Sequence, residues 1–176
     1  GVLDADIYGP SQPHMLGVAD EKPMVDENNR IYPLSARGVK VMSIGFMVDE
    51  DSPVIWRGPM VMKALVQFLG ETLWEDLDYL ILDLPPGTGD VQLTIVQQVS
   101  LSGAVIVTTP QDIALLDARK GLQMFRKTEV PILGIIENMS YYECPSCGNR
   151  EDIFDSGGGE EAASRYEVPF LGAVPL

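Results

Sequence analysis

The feature that most restricts the fold of this chain is the alternation of short, continuously apolar runs with longer stretches of helical period. Runs rich in β-branched residues lie at Val39 to Phe46, Tyr79 to Asp83, Ala104 to Thr108 and Ile132 to Glu137, with a last one near Phe170 to Val174. Between them, Pro59 to Trp74 places Val61, Ala64, Leu65, Phe68 and Leu69 on one helical face. Further helices are expected over Val91 to Val99, Ile113 to Phe125 and Gly158 to Tyr166. Strands that are apolar throughout must be covered on both sides, and helical crossovers between parallel strands do this. Right-handed crossovers then predict an α/β fold: a doubly wound, mostly parallel sheet with helices on both faces.

The 176 residues read as one domain, with no repeat and no internal boundary. Both ends read as cut, because the chain opens on the tail of a strand, Gly1-Val2-Leu3, and stops directly after one at Pro175-Leu176. The polar stretch Gly17 to Ser35 reads as a long surface excursion. Lys and Arg number 12 against 26 Asp and Glu, a net charge of −14. That balance opposes a broad nucleic-acid footprint, which needs clustered cations. No apolar run approaches bilayer length and no leader opens the chain, so the expectation is a cytoplasmic protein with neither a membrane nor a nucleic-acid partner. A small phosphate ligand stays open, since backbone N–H groups and a metal ion can hold one.

Ligands of open α/β sheets bind beyond the carboxyl ends of the strands, and two segments put acids there. In Tyr79-Leu80-Ile81-Leu82-Asp83, four apolar residues end in an aspartate, the Walker B arrangement, which fixes a carboxylate at a strand tip where it can hold Mg²⁺. Pro85-Pro86-Gly87-Thr88-Gly89 then forces a sharp turn, and its glycines let backbone approach a γ-phosphate. In the other segment Asp4 and Asp6 stand two apart, so an extended backbone points both to one face.

Asp-Ala-Asp-Ile-Tyr-Gly-Pro-Ser, Val-Ile-Trp-Arg-Gly-Pro-Met, Leu-Pro-Pro-Gly-Thr-Gly-Asp, Thr-Pro-Gln-Asp-Ile-Ala-Leu-Leu-Asp-Ala-Arg, Glu-Asn-Met-Ser and Cys-Pro-Ser-Cys-Gly follow one another in this order. The set resembles the Mrp-type P-loop ATPases, iron–sulfur cluster carriers related to the partitioning ATPases, over essentially the whole chain. The resemblance implies ATP and Mg²⁺ as cofactors and ATP hydrolysis in the intact protein. It implies that Asp6 orients the attacking water, with Asp4 its neighbour near the Mg²⁺ shell. It makes Asp83 the Walker B acid and puts Gly87 and Asp90 in switch II. Asn138 would meet the adenine edge, and Pro175 would fall where the family closes over the base. The family's Gly-Lys-Gly-Gly-Val-Gly-Lys-Ser/Thr loop is not in this sequence, and Gly157-Gly158-Gly159 does not replace it: no apolar strand precedes it and no Lys-Ser/Thr follows. First strand and P-loop are therefore expected to be missing, and this polypeptide alone is expected not to turn over ATP.

The chain has two cysteines, Cys144 and Cys147, separated by Pro145 and Ser146 and followed by Gly148. The spacing suits a metal knuckle, a redox dithiol or a pair of unliganded thiols. Two thiolates cannot close a tetrahedral site or a four-iron cluster, whereas two copies about a two-fold axis can. The residues thus favour a homodimer, and the resemblance points to a labile [4Fe–4S] cluster delivered to apoproteins. Zinc shared across the same axis is the rival. A nucleotide-switched positioning ATPase and a zinc-stapled binding module with a vestigial ATPase site are the competing functions. His14 reads as a polar surface or hinge residue, and Trp56-Arg57 as either a stack on a ligand or partner subunit or a buried turn before Pro59. Gln111 and Asp112 follow a strand end near the nucleotide or dimer face, and Met42, Met60, Met62 and Met124 read as packing.

Overall fold

The structure, a computed structural model, describes residues 1–6, 8–47 and 58–176. They form two compact units: residues 1–86 with 90–92, and residues 87–89 with 93–176.

The first unit is built on a four-stranded sheet. β1 (Val2–Asp4) lies between β5 (Val39–Ser43) and β6 (Ile81–Asp83), parallel to both, and β4 (Leu34–Ala36) adds antiparallel to β5. The registers Asp4 to Ser43 and Asp4 to Asp83 set three polar side chains in one row across three strand tips. Below that row Leu3, Val41 and Met42 are buried, as are Leu65 and Phe68 of α2 (Gly58–Glu71). The Trp74 indole donates to the Phe68 carbonyl at 3.0 Å, tying down the chain just beyond that helix. β5 ends sooner than its apolar run predicts. The Ser43 hydroxyl accepts from Gly45 N at 3.0 Å, and Ile44–Met47 turns as a 3₁₀-helix in place of more ladder.

The excursion after Gly17 has order of its own. β2 (Met24–Val25) pairs antiparallel with β3 (Ile31–Tyr32). The Asp26 carboxylate closes their turn by accepting from Asn28 N and Arg30 N and pairing with Arg30 Nε at 2.7 Å. Short α1 (Gln12–Leu16) begins with Pro13 in its first turn and ends on Gly17 at φ 78°.

The second unit is a parallel sheet in the order β11 (Phe170–Ala173), β8 (Ile132–Glu137), β7 (Ala104–Thr108). α4 (Asp112–Lys127) and α5 (Gly158–Arg165) bury Leu115, Leu122, Phe125, Ala162 and Ala163, and Ile106 and Ile135 of the strands are buried too. α3 (Asp90–Gln98) carries the boundary between the units, and β9 (Tyr142–Glu143) pairs antiparallel with β10 (Arg150–Glu151). Every strand and helix expected from the sequence occurs, with ends shifted by a few residues. α1, β4 and the two short hairpins carry too few residues to show a period. Among the described residues no helix is long and apolar enough to cross a membrane. Met42 and Met124 are buried, but Met60 faces outward from α2, so packing does not account for it.

Candidate functional site

In the first unit the strand-tip acids come together with three different environments. Asp4 is fully buried. One of its oxygens accepts from Asp6 N at 3.1 Å, and the other from Gln12 N at 3.1 Å and Ser43 Oγ at 3.0 Å. Burial pushes its carboxyl above the usual aspartate range; the Gln12, Ser43 and Asp6 hydrogen bonds pull the other way, and the Asp83 charge adds to the rise. Its oxygens are thus spent on fixing the loop that runs from Asp4 to Gln12.

Asp6 is half-buried and turns that loop, with Oδ1 accepting from Tyr8 N at 3.1 Å and Gly9 N at 3.2 Å. Asp83 meets the loop through its backbone, its carbonyl accepting from Ala5 N at 2.9 Å. Its Oδ2 accepts from Gln12 Nε2 at 2.7 Å. Among the described residues no hydrogen bond is made by Asp6 Oδ2 or Asp83 Oδ1. Gln12 is the functional neighbour that the sequence does not disclose. It lies 71 residues from Asp83, and only the packing of α1 against the strand tips brings its amide there.

The turn after Asp83 is held by Gln92, whose Nε2 donates to the carbonyls of Pro85 and Pro86 at 2.9 Å each. Gly87 is exposed at φ 93°, where a side chain would be strained. Asp90 opens α3 after Gly89, and its side chain lies outside the described residues, as do Trp56-Arg57 and the Val61 side chain.

In the second unit Asn138 follows β8. Its N–H donates to the Thr108 carbonyl at 2.7 Å, and its side-chain oxygen accepts from Met139 N. Pro175 is exposed on a tail paired back to the same place: Val174 N donates to Glu137 O, Ser140 N to Val174 O, and Leu176 N to Tyr141 O. Asn138 and Pro175 therefore stand at one end of this sheet. Gln111 accepts from the Thr109 hydroxyl, and Asp112 begins α4 beside them in sequence.

The cysteines cap the β9–β10 hairpin. Cys144 N donates to Asn149 O at 2.9 Å and Gly148 N to Cys144 O at 2.8 Å, with Gly148 at φ 70°. Backbone N–H groups of Ser146 and Cys147 aim at the Cys144 sulfur and hold its thiol below the ordinary cysteine range, the Cys147 side chain adding to the shift. Cys144 is half-buried, Cys147 is exposed, and neither is in a disulfide. Arg150 lies 4.2 Å over the Tyr141 ring and pairs with Glu143 at 3.2 Å, bracing the hairpin from outside. Among the described residues no three His, Cys, Asp or Glu side chains gather as a cation site, so the two sulfurs form an incomplete donor set.

Comparison with known proteins adds three findings. A family model described as ParA: NUBPL iron-transfer P-loop NTPase matches residues 1–176. An iron-sulfur cluster carrier protein of Haemophilus influenzae is 58% identical over 176 residues, covering 100% of this chain and 48% of that protein. The iron-sulfur cluster transfer protein NUBPL of Dictyostelium discoideum is 52% identical over 177 residues, covering 100% and 55%. The chain thus spans about half the length of these relatives. Among solved structures, a nucleotide-binding protein from Archaeoglobus fulgidus in complex with ADP superposes at TM-score 0.84 and 40% identity, covering 100% of this chain and 68% of that one. The septum site-determining protein MinD of Pyrococcus horikoshii, complexed with Mg-ADP, matches at TM-score 0.62 and 21% identity over 99% of this chain and 67% of its own, a likeness of fold.

Proposed function

Because this chain belongs to the family of iron-transfer P-loop NTPases described as ParA and NUBPL, we propose that it is the acid-bearing and cysteine-bearing part of an ATP-dependent iron–sulfur cluster carrier working in the cytoplasm. The observation that carries the reading is the Cys144 knuckle: a tight turn, closed by Cys144 N to Asn149 O and Gly148 N to Cys144 O, that bears two free cysteines on one hairpin and leaves Cys147 exposed. Hydrogen bonding from the Ser146 and Cys147 N–H groups lowers the Cys144 pKa and so favours the thiolate, the form that ligates iron. The cargo is a [4Fe–4S] cluster. Two sulfurs per chain leave half its ligands to be found, and a second copy supplies them across a two-fold axis. The cluster then passes to apoproteins by exchange of thiolate ligands.

The acids of the first unit fit a magnesium–nucleotide. Mg²⁺ takes oxygen ligands and keeps several waters, and Asp83 Oδ1 and Asp6 Oδ2 are carboxylate oxygens that no described residue engages. When bound, the metal and the triphosphate supply the phosphoryl group and the charge that offsets its transfer. Asp83 would hold the ion, while Asp6 would orient water. Asp4 acts from beneath by locking the loop on which Asp6 stands. By resemblance to the family, Gly87 and Asp90 would belong to the switch that answers the γ-phosphate, and Asn138 and Pro175 would meet the adenine.

Anaerobic reconstitution with iron and sulfide tests the reading. Wild type should gain thiolate-to-iron charge-transfer absorbance and sediment as a dimer, and Cys144→Ser should gain neither. Equal cluster uptake by Cys144→Ser would sink the proposal. Uptake of zinc, with no absorbance that depends on iron and sulfide, would replace it with a zinc-bridged pair.

A further inference from the structure

Glu137 belongs to none of the roles above, yet it is one of the most deeply buried side chains of the molecule, at 1% exposure. It is the last residue of β8, directly before Asn138. Its carboxylate takes three donors. Ser140 Oγ donates to Oε1 at 2.5 Å, Gly157 N to Oε1 at 3.0 Å, and Gly159 N to Oε2 at 2.5 Å. These donors come from opposite ends of one excursion. Ser140 precedes the hairpin that bears the cysteines, and Gly157 is where the chain returns to start α5.

Apart from Glu137, the tail pairs with the start of the excursion, Ser140 N donating to Val174 O and Leu176 N to Tyr141 O. Residues 145–157 are exposed without interruption, so apolar burial does not fix their place. The bonds inside the excursion are local: the hairpin ladder, the Cys144 to Asn149 turn, and Ser156 Oγ to Asp152 Oδ2 at 2.9 Å. Such bonds fix the excursion's internal shape but not its position on the sheet. The three glycines at the return agree with a clamp. Gly157 sits at φ 83°, and a Cβ on Gly158 would come within 2.6 Å of Leu115. A Cβ on Gly159 would come within 2.9 Å of the Glu137 Cβ, so only glycine lets this backbone reach the carboxylate.

We propose that Glu137 is the positioning residue of the cysteine pair: one buried carboxylate closes both ends of the excursion that presents Cys144 and Cys147 and fastens it to the strand tip that carries Asn138. The ligand set on which this rests is the thiolate pair of the proposed function. The clamp goes further, because it makes the strand end beside Asn138 and the metal-bearing loop share one anchor. Only a carboxylate serves. Glutamine keeps the shape but has one acceptor oxygen, so its NH₂ would face a backbone N–H of the return, Gly159 N or Gly157 N, and weaken the hold there.

Two readouts on the intact chain test it. Arg150 is the sole Lys or Arg between Lys127 and Arg165, so tryptic cleavage after Arg150 reports opening of the excursion and cleavage after Lys127 reports unfolding of α4. Anaerobic titration with Co²⁺ reads the thiolates through their charge-transfer band. In Glu137→Gln, cleavage after Arg150 should rise about tenfold or more with cleavage after Lys127 unchanged, the size expected when a charge-assisted closure is lost, and half-saturation should need several-fold more Co²⁺. Ser140→Ala, which removes one donor and leaves the carboxylate, should show the same pattern at smaller size and decides the matter if Glu137→Gln unfolds. Unchanged Arg150 cleavage and Co²⁺ titration in the folded variants would overturn the proposal. A wild type with no charge-transfer band would sink the thiolate reading instead, and faster Arg150 cleavage in the variants would still uphold the clamp.

Discussion

Replacing Asp4 by alanine gives the sharpest test of how the acidic loop is held. The substitution removes the acceptor for Asp6 N, Gln12 N and Ser43 Oγ at a fully buried position. The serine hydroxyl can rotate to another partner; the two backbone donors cannot. Each buried donor left unpaired costs about 1–3 kcal/mol. Loss of a buried charge and of its repulsion with Asp83 offsets part of this, giving a net destabilisation of about 2–4 kcal/mol. Asp4→Asn keeps the shape and one acceptor oxygen and should cost less. The pH dependence carries a sign as well. Burial raises the Asp4 pKa in the folded chain, so its contribution to stability is fullest below the ordinary aspartate value and is lost as pH rises through the raised one. The penalty of Asp4→Asn relative to wild type should therefore be larger in acid than at neutral pH. Urea denaturation followed by tryptophan emission is the assay, because both tryptophans, Trp56 and Trp74, fall within residues 1–86. An Asp4→Ala chain within about 0.5 kcal/mol of wild type, the ordinary range for a surface change, would refute the anchoring argument.

Gly159→Ala forces a methyl within 2.9 Å of the Glu137 Cβ, and thermal melts should show a loss of about 1–3 kcal/mol, typical of overpacking. Glu137 has the opposite pH sign to Asp4. Burial raises its pKa, but the Ser140, Gly159 and Gly157 hydrogen bonds outweigh both that and nearby Asp155, and leave it below the usual glutamate value. The stability it confers is present above that ordinary value and is lost as pH falls through the depressed one. Amide-exchange protection at Gly157 and Gly159 should therefore drop in acid before protection in β7 and β8 does.

Much of this protein could be read before any coordinates. Apolar runs without alternation demanded cover on both sides, and that alone led to parallel strands joined by helices. The position of Asp83 followed from a strand that ends where prolines begin, and the closeness of the two thiols followed from their spacing. All three are local facts, written in the order of residues along one element. The partner of each polar group is a different kind of fact. Resemblance names Asp4 as a neighbour of the metal shell but not its partners; in the fold its oxygens accept from Ser43 and Gln12, which lie 39 and 8 residues away. Gln12 reaches Asp83 only because α1 packs onto the strand tips. Glu137 looked like one more residue of β8, yet it gathers amides 20 and 22 residues farther on. Periodicity says which side of its own strand a residue faces. Register between strands and the return path of a loop decide which donors meet a carboxylate, and these arise only when distant segments pack.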